Sequence, residues 1–206
     1  FHRPRGLLGH VTGRVIATRS SNVRRNRWAV EQLDVQPTDR VLEIGFGPGV
    51  AVEALAARAT AGVVHGVDHS ALMVRTARRR NAAAVAAGRV VLTAAGVDAL
   101  DGLDDALRPL DLVLAVNNLG MWPDPPARLR HLRTLLRPGG RIAVGTQPRD
   151  PGADAETARR TAETTAALLT DAGFDAVDTR CLDLDPPMVL VVGTRPAEPA
   201  HPERHR

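Results

Sequence analysis

A short run of residues combines a carboxylate with three closely spaced glycines. Glu43 lies near the end of an apolar segment, and Gly45, Gly47 and Gly49 follow it at alternate positions. Glycines at such a turn let the backbone adopt positive φ and approach a ligand closely. A dinucleotide fingerprint would be spaced G-x-G-x-x-G, and a pyrophosphate has no use for an anion beside it. Glu43 therefore favours a ligand with a cationic group over a pyrophosphate.

Alternating apolar runs and helical stretches must position these groups. Strands are predicted at residues 40–44, 63–67, 89–94, 110–116, 141–145, 174–182 and 188–194. Helices are predicted at residues 49–59, 70–87, 125–136 and 154–172, with Ser70 as an N-cap and Pro138-Gly139-Gly140 closing the third helix. This alternation indicates βαβ units, and the last two strands, which have no helix between them, are predicted to form a hairpin. The sequence predicts an α/β fold with a Rossmann-like, doubly wound seven-stranded sheet, mostly parallel with a C-terminal antiparallel hairpin.

The chain divides into three predicted regions. Residues 1–36 form an Arg-rich arm that is partly helical and is expected to cover the ligand as a lid. Residues 37–195 form one ligand-binding domain. Residues 196–206 are rich in Pro, His and charge, and we expect them to be disordered.

Composition excludes several classes of protein. The 206 residues suit a single domain, and 44% hydrophobic with 24% charged residues is usual for globular proteins. No apolar run approaches the roughly 18 residues that a membrane-spanning helix needs. The single cysteine, Cys181, excludes a disulfide framework within the chain and a cysteine zinc site. We therefore expect no membrane partner, no metal and a reducing, cytoplasmic location.

The positive charge is concentrated in the arm. The formal net charge is +4 and every basic residue is Arg, yet residues 1–30 contain no Asp or Glu. The remainder of the chain is therefore slightly acidic. The charge of the arm is compatible with an anionic acceptor or with RNA phosphates, but the Arg-rich stretch at residues 19–27 has no interleaved aromatic residues on which bases would stack.

Four segments, in order, resemble one enzyme family. The pattern E-x-G-x-G-x-G after the first strand resembles motif I of the class I S-adenosylmethionine-dependent methyltransferases. Val64–Asp68, which ends the second strand in an acid, Leu110–Asn118 and the Leu135–Arg141 turn also resemble segments of this family. The resemblance spans roughly residues 37–193, and four motifs at the expected spacing are specific.

The resemblance implies S-adenosylmethionine as cofactor and S-adenosylhomocysteine as product. Glu43 would hold the amino group, and Asp68 would accept both ribose hydroxyls. His69 would lie against the adenine, where the family often has an apolar residue, and Asp98 sits one step beyond the family's usual acid. The residues expected to bind the cofactor are Glu43, Gly45, Phe46, Gly47, Gly49, Asp68, His69, Met73, Gly96, Val97 and Asn117.

The fourth motif limits the acceptor. Family members that methylate DNA bases or glutamine side chains resemble [DN]-P-P-[YFW], whereas this chain has Asn117-Asn118-Leu119-Gly120-Met121-Trp122 without either proline. It is more similar to small-molecule methyltransferases, including the ubiquinone and menaquinone biosynthesis type. Residues expected to line the acceptor pocket are Asn22, Asn26, Asn118, Met121 and Trp122.

The implied mechanism is an in-line displacement that needs few protein groups. Orientation alone can contribute roughly 7–11 kcal/mol. No catalytic residue is assigned; the candidates are Asn117, which is expected near the transferring methyl group, and His10 in the arm. A general base is needed only if the acceptor must lose a proton; the candidate histidines are His10, His65, His69 and His131, of which His65 and His131 are expected to be structural. Three alternatives stay open: an RNA methyltransferase that uses the arm, a non-catalytic cofactor-binding subunit, and a nicotinamide oxidoreductase that the glycine spacing disfavours. The sequence does not identify the acceptor, the methylated element or the oligomeric state.

Overall fold

A computed structural model describes residues 20–197 of the chain. Seven strands form one sheet in the order β3-β2-β1-β4-β5-β7-β6. Their bounds are Arg40–Ile44 (β1), Val63–Asp68 (β2), Val90–Ala94 (β3), Leu110–Val116 (β4), Leu136–Thr146 (β5), Asp175–Leu182 (β6) and Met188–Thr194 (β7). All neighbours from β3 to β5 pair in parallel, whereas β7 pairs antiparallel with both β5 and β6. The predicted sheet and its terminal hairpin are confirmed.

Between residues 20 and 197, seven α-helices and two short 3₁₀ turns accompany the strands. The helices are Ser20–Glu31 (α1), Val50–Ala56 (α2), Ala71–Arg80 (α3), Ala82–Ala86 (α4), Asp104–Leu107 (α5), Pro125–Leu135 (α6) and Ala155–Asp171 (α7). The 3₁₀ turns are Val97–Gly102 (η1) and Leu119–Met121 (η2). Within the described residues, no helix is both long enough and apolar enough to cross a membrane.

The two faces of the sheet support two apolar cores. One face packs against α6 and α7 and includes Leu129, Ile142 and Leu169. The other packs against α1, α2 and α3 and includes Leu33 and Leu55. Both faces are covered, so the parallel strands read as continuous apolar runs rather than as alternating ones. The carboxyl ends of β1, β2 and β4 therefore meet at one edge of the sheet between the two layers.

Three predicted elements differ from the structure by more than one residue. The helix predicted over residues 70–87 is broken at Asn81, whose Nδ2 donates to the carbonyls of Ala77 (2.9 Å) and Gly49 (3.2 Å), because an Asn side chain competes with the backbone for such bonds. The helix predicted over residues 49–59 ends at Ala56. β5 begins at Leu136, where it pairs with Leu110 before a register shift brings Arg141 opposite Leu112.

The predicted arm is only partly within the described residues. Residues 1–19, with His10, and residues 198–206 of the predicted tail lie outside them. From Ser20 onward the arm forms α1, which packs on α2 and buries Ala29, Val30 and Leu33. Its buried face also carries two polar residues, Arg25 and Asn26, which are 5% and 8% exposed.

Candidate functional site

The glycine turn after β1 adopts a backbone that only glycine accommodates well. Gly45, Gly47 and Gly49 have φ of 66°, 52° and 79°. A Cβ on Gly45 would lie 2.4 Å from Nδ2 of Asn118, so this position also lacks the space for a side chain. A Cβ on Gly47 would meet nothing within 4 Å. The space beside Gly47 is therefore open, and a ligand could approach the turn at this position.

Glu43 lies directly beneath this turn and is 2% exposed. Within residues 20–197, its Oε2 is buried without a hydrogen-bond partner. Burial, reinforced by the nearby Asp68 carboxylate, raises the pKa of Glu43 well above 4.5, and only the backbone amide of Val52 opposes this shift. A buried carboxyl with an unused oxygen needs a cationic partner, and the ammonium group of S-adenosylmethionine has that chemistry.

Asp68, at the end of β2, ties the turn to the neighbouring strand. Its Oδ2 accepts the amide of Gly47 and its Oδ1 accepts the amide of Ser70, both at 2.8 Å. Ser70 in turn caps α3 by accepting the amide of Met73 at 3.4 Å, as predicted. Each carboxylate oxygen keeps a further lone pair, so the carboxylate can still accept two hydroxyls.

A cavity of about 510 Å³ opens at the carboxyl ends of β1, β2 and β4. Its volume lies within the range of small-molecule sites. It is lined by Ile44, Gly45, Val67, Asp68, His69, Ala95, Gly96, Val97, Asp98, Val116, Asn117, Asn118, Met121, Trp122 and Pro123. The structure thus brings together nine of the predicted site residues: Gly45, Asp68, His69, Gly96, Val97, Asn117, Asn118, Met121 and Trp122. Asp98 also lines it, although its position in the sequence left its contact in doubt.

Other predicted residues do not line this cavity. Glu43, Gly47 and Gly49 lie in or under the turn, and Met73 is half-buried on α3. The Phe46 side chain points into the core beneath, where it fills the space above Gly66. Asn22 and Asn26 bond to each other along α1, where Nδ2 of Asn26 donates to the Asn22 carbonyl at 2.8 Å. Binding of the cofactor or the acceptor by these residues stays a prediction.

Asn118 has a structural task that its motif does not reveal. Its Nδ2 donates to the carbonyl of Ile44 at the end of β1, and its Oδ1 accepts the indole N–H of Trp122 at 3.1 Å. The amide is thereby used on both sides, although the residue borders the cavity. Trp122, 7% exposed, is fixed by this bond, whereas the neighbouring Met121 is 67% exposed at the rim.

Asn117 is held by the end of β5. It has a φ of 57°, and its Oδ1 accepts the amide of Gln147 at 2.7 Å. The Gln147 side chain continues the network, since its Oε1 accepts from Nη1 of Arg25 at 2.6 Å and its Nε2 donates to the carbonyl of Pro186 at 2.7 Å. Sequence reasoning missed Gln147, which follows β5 in no recognisable motif; the concentration of Arg in the arm was the only signal for Arg25.

The two described histidines expected to be structural lie away from the cavity. His65 sits within β2, where burial lowers its pKa. His131 on α6 lies between Asp104 (3.0 Å) and Asp101 (3.1 Å). The described part of the chain contains no group of three or more His, Cys, Asp or Glu side chains that could hold a metal.

Comparison with known proteins agrees with this geometry. A family model described as a methyltransferase domain matches residues 41–140. An uncharacterized methyltransferase, YdaC, of Bacillus subtilis is 28% identical over 193 residues, which cover 91% of this chain and 99% of that protein. The ubiquinone/menaquinone biosynthesis C-methyltransferase UbiE of Geotalea daltonii is 28% identical over 57% of this chain and 49% of its own length.

Solved structures share the fold at low sequence identity. A SAM-dependent methyltransferase from Aquifex aeolicus superposes with a TM-score of 0.69 at 16% identity, covering 90% of this chain and 97% of that one. A structure described as the complex between the Haloferax volcanii Trm112 methyltransferase activator and the putative methyltransferase superposes with a TM-score of 0.72 at 19% identity. The match covers 91% of this chain and 96% of that one. The glycine turn, the two strand-end carboxylates, the sheet order and these matches together show that the chain is a class I S-adenosylmethionine-dependent methyltransferase.

Proposed function

We propose that this methyltransferase transfers the methyl group to a small organic acceptor by in-line displacement. The observation that carries the proposal is the cavity at the carboxyl edge of the sheet, which is lined by Asn117, the buried Trp122 and the exposed Met121 together with Gly45 and Asp68. A site of this kind surrounds a small molecule rather than following a polymer. Two relatives are described by their roles in ubiquinone or menaquinone biosynthesis, which supports a small acceptor.

The cofactor, when bound, supplies a methyl group that is already activated by a sulfonium. The chain's residues bind and orient. Glu43 would face the ammonium group, Asp68 would accept the ribose hydroxyls, and Gly96, Val97 and Asp98 would border the adenine.

On the acceptor side of the cavity, side chains that are already ordered restrict the direction from which the acceptor approaches the methyl group. Asn117 is locked by the Gln147 amide, and Trp122 is locked by Asn118, so neither side chain must be ordered when the acceptor arrives. Preorganisation of this kind supplies the orientation that displacement at carbon needs.

Two measurements test the proposal. Calorimetry with S-adenosylmethionine, S-adenosylhomocysteine and NAD should show saturable binding of the first two only. A screen with radiolabelled S-adenosylmethionine against small phenols, alcohols and amines, and in parallel against total RNA, should label small molecules. Labelled RNA, or salt-sensitive RNA binding that competes with the small acceptors, would replace the proposal with the RNA alternative. Cofactor binding without labelling of any acceptor would favour a non-catalytic subunit.

A further inference from the structure

A second cavity, of about 480 Å³, lies on the other side of η2 from the cofactor cavity. Its walls come from η2, the start of α6, the end of β5 and one face of α7. The residues that line it are Leu119, Gly120, Pro125, Thr146, Thr157, Arg160, Thr161, Thr164, Thr165 and Leu168. None of these residues lines the cofactor cavity.

The two cavities share a thin partition. Leu119 and Gly120 line the second cavity, and Met121 and Trp122, which follow directly, line the first. At the sheet edge, Thr146 lines the second cavity while the next residue, Gln147, donates its amide to Asn117 of the first at 2.7 Å. Residues that line the second cavity are therefore next in the chain to residues that line the first cavity or bond to Asn117, both in η2 and at the end of β5.

The threonines give the second cavity a definite hydrogen-bonding character. Thr161, Thr164 and Thr165 each donate their hydroxyl proton to a carbonyl four residues earlier in α7, at 2.8–2.9 Å. Thr157 donates to Oδ1 of Asp154 at 2.8 Å. Because these protons are used, the hydroxyl oxygens can only accept further hydrogen bonds, and the methyl groups add apolar surface.

The charged side chain at the second cavity does not change this hydrogen-bonding character. Arg160 is the one charged residue that lines this cavity in the described part of the chain, and its Nε donates to Glu156 at 2.9 Å. Its side chain is 73% exposed, so solvent screens the charge further. The remaining wall of Leu119, Pro125 and Leu168 is apolar. The site suits a neutral molecule better than an anion.

We propose that the second cavity holds the body of the methyl acceptor, and that this acceptor is a neutral, largely apolar molecule with hydroxyl or amine donors along one edge. This inference rests on the proposed function, because only a methyltransferase with a small-molecule substrate has such an acceptor. The donors of the acceptor meet the threonine oxygens of α7, its apolar part meets Leu119 and Leu168, and its reacting end passes the η2 partition toward Asn117.

Gly120 offers a variant at the lining of this cavity alone. A Cβ at Gly120 would meet nothing within 4 Å, and the residue has no positive φ, so Gly120→Leu places its side chain in open space. Gly102, at the end of η1, has the same two properties and lines neither cavity, which makes Gly102→Leu the matched control.

The test uses 1-naphthol as a neutral apolar probe with one donor, and 1-naphthalenesulfonate as its anionic counterpart. Titration of the full chain with each probe, followed by NMR of the assigned Thr methyl groups, should shift Thr161, Thr164 and Thr165 but not Thr179 on β6. We expect 1-naphthol to bind at least about tenfold more tightly than the sulfonate, and Gly120→Leu to weaken it by about tenfold or more. Gly102→Leu should leave its affinity within about twofold of the original.

Several results would overturn the inference. These are the absence of saturable naphthol shifts, shifts confined to the amides of Gly45 and Gly96, equal binding of both probes, and undiminished binding to Gly120→Leu. Calorimetry with S-adenosylmethionine on the same samples separates this failure from failure of the proposed function. If naphthol binds as expected and S-adenosylmethionine does not, the ligand class stands while the acceptor role and the proposed function fall together.

Discussion

The Asp68 carboxylate accepts the backbone amide of Gly47 at 2.8 Å, and this bond couples the glycine turn after β1 to the end of β2. The same carboxylate accepts the Ser70 amide, which begins α3. One buried side chain therefore sets both the turn and the wall of the cofactor cavity. Glu43 lies on the other side of that turn, close enough to Asp68 that the Asp68 carboxylate adds to the effect of burial in raising the pKa of Glu43.

Asp68→Asn should weaken S-adenosylmethionine binding by about tenfold or more, since hydrogen bonds to a charged acceptor contribute roughly 1.5–3 kcal/mol. The amide retains one oxygen, so it can satisfy only one of the two backbone donors and presents an N–H to the other. Calorimetry measures the change. Asp101→Asn, at a carboxylate that is 70% exposed and outside the cavity, is the control and should leave the affinity unchanged.

Glu43→Gln should raise stability and lower cofactor affinity in the same protein. The folded-state pKa of Glu43 lies above its ordinary value of 4.5, so the folded chain holds this proton more tightly than the unfolded chain does. Its contribution to stability is therefore fully present below about pH 4.5 and is lost as the pH rises through the folded-state pKa. Glutamine removes this loss because it carries no charge.

Urea unfolding of the cofactor-free chain between pH 4.5 and 8 measures this effect. The unfolding free energy of the original chain should fall relative to that of Glu43→Gln as the pH rises. Calorimetry at neutral pH should show weaker S-adenosylmethionine binding by the variant. If Glu43→Gln binds S-adenosylmethionine as tightly as the original chain does, Glu43 does not belong to the cofactor site.

Asn118→Ala should destabilise the fold by about 1–3 kcal/mol, because it leaves the Ile44 carbonyl and the Trp122 indole N–H buried without partners. Trp122→Phe removes only the second of these bonds and should cost less. Chemical denaturation of the two single variants and the double variant gives their coupling energy. A coupling energy near zero would show that Asn118 does not hold Trp122.

Gly45→Ala and Gly47→Ala should separate the effect of a steric clash on stability from the effect of backbone strain. Both positions have positive φ, which costs a non-glycine residue roughly 1–2 kcal/mol. Only Gly45 also brings its new Cβ against Asn118, so Gly45→Ala should lose more stability than Gly47→Ala. Thermal unfolding ranks the pair. Gly47→Ala should mainly weaken cofactor binding, because the turn is open to ligand at that position, and equal melting temperatures would contradict the argument.

Local patterns carried much of the structure. β1, β4 and β7 have the predicted bounds because a run of buried apolar residues is a local signal, and Ser70 caps α3 as its residue type indicates. The break at Asn81 was not predicted, because the hydrogen bond that stabilises it reaches the carbonyl of Gly49, 32 residues away. Such a bond has no counterpart in helical periodicity.

The sequence by itself determined the carboxyl edge of the sheet: the glycine turn with positive φ, and Glu43 and Asp68 at two strand ends, follow from residue type and strand register. Only the tertiary structure decided what the surrounding polar groups do. It turned the Asn118 amide toward Ile44 and Trp122, joined Arg25 to Gln147 across 122 residues, and formed a second cavity beside η2. The physical reason is that a buried polar group takes whichever partner packing brings within reach, and that partner is set by the whole fold.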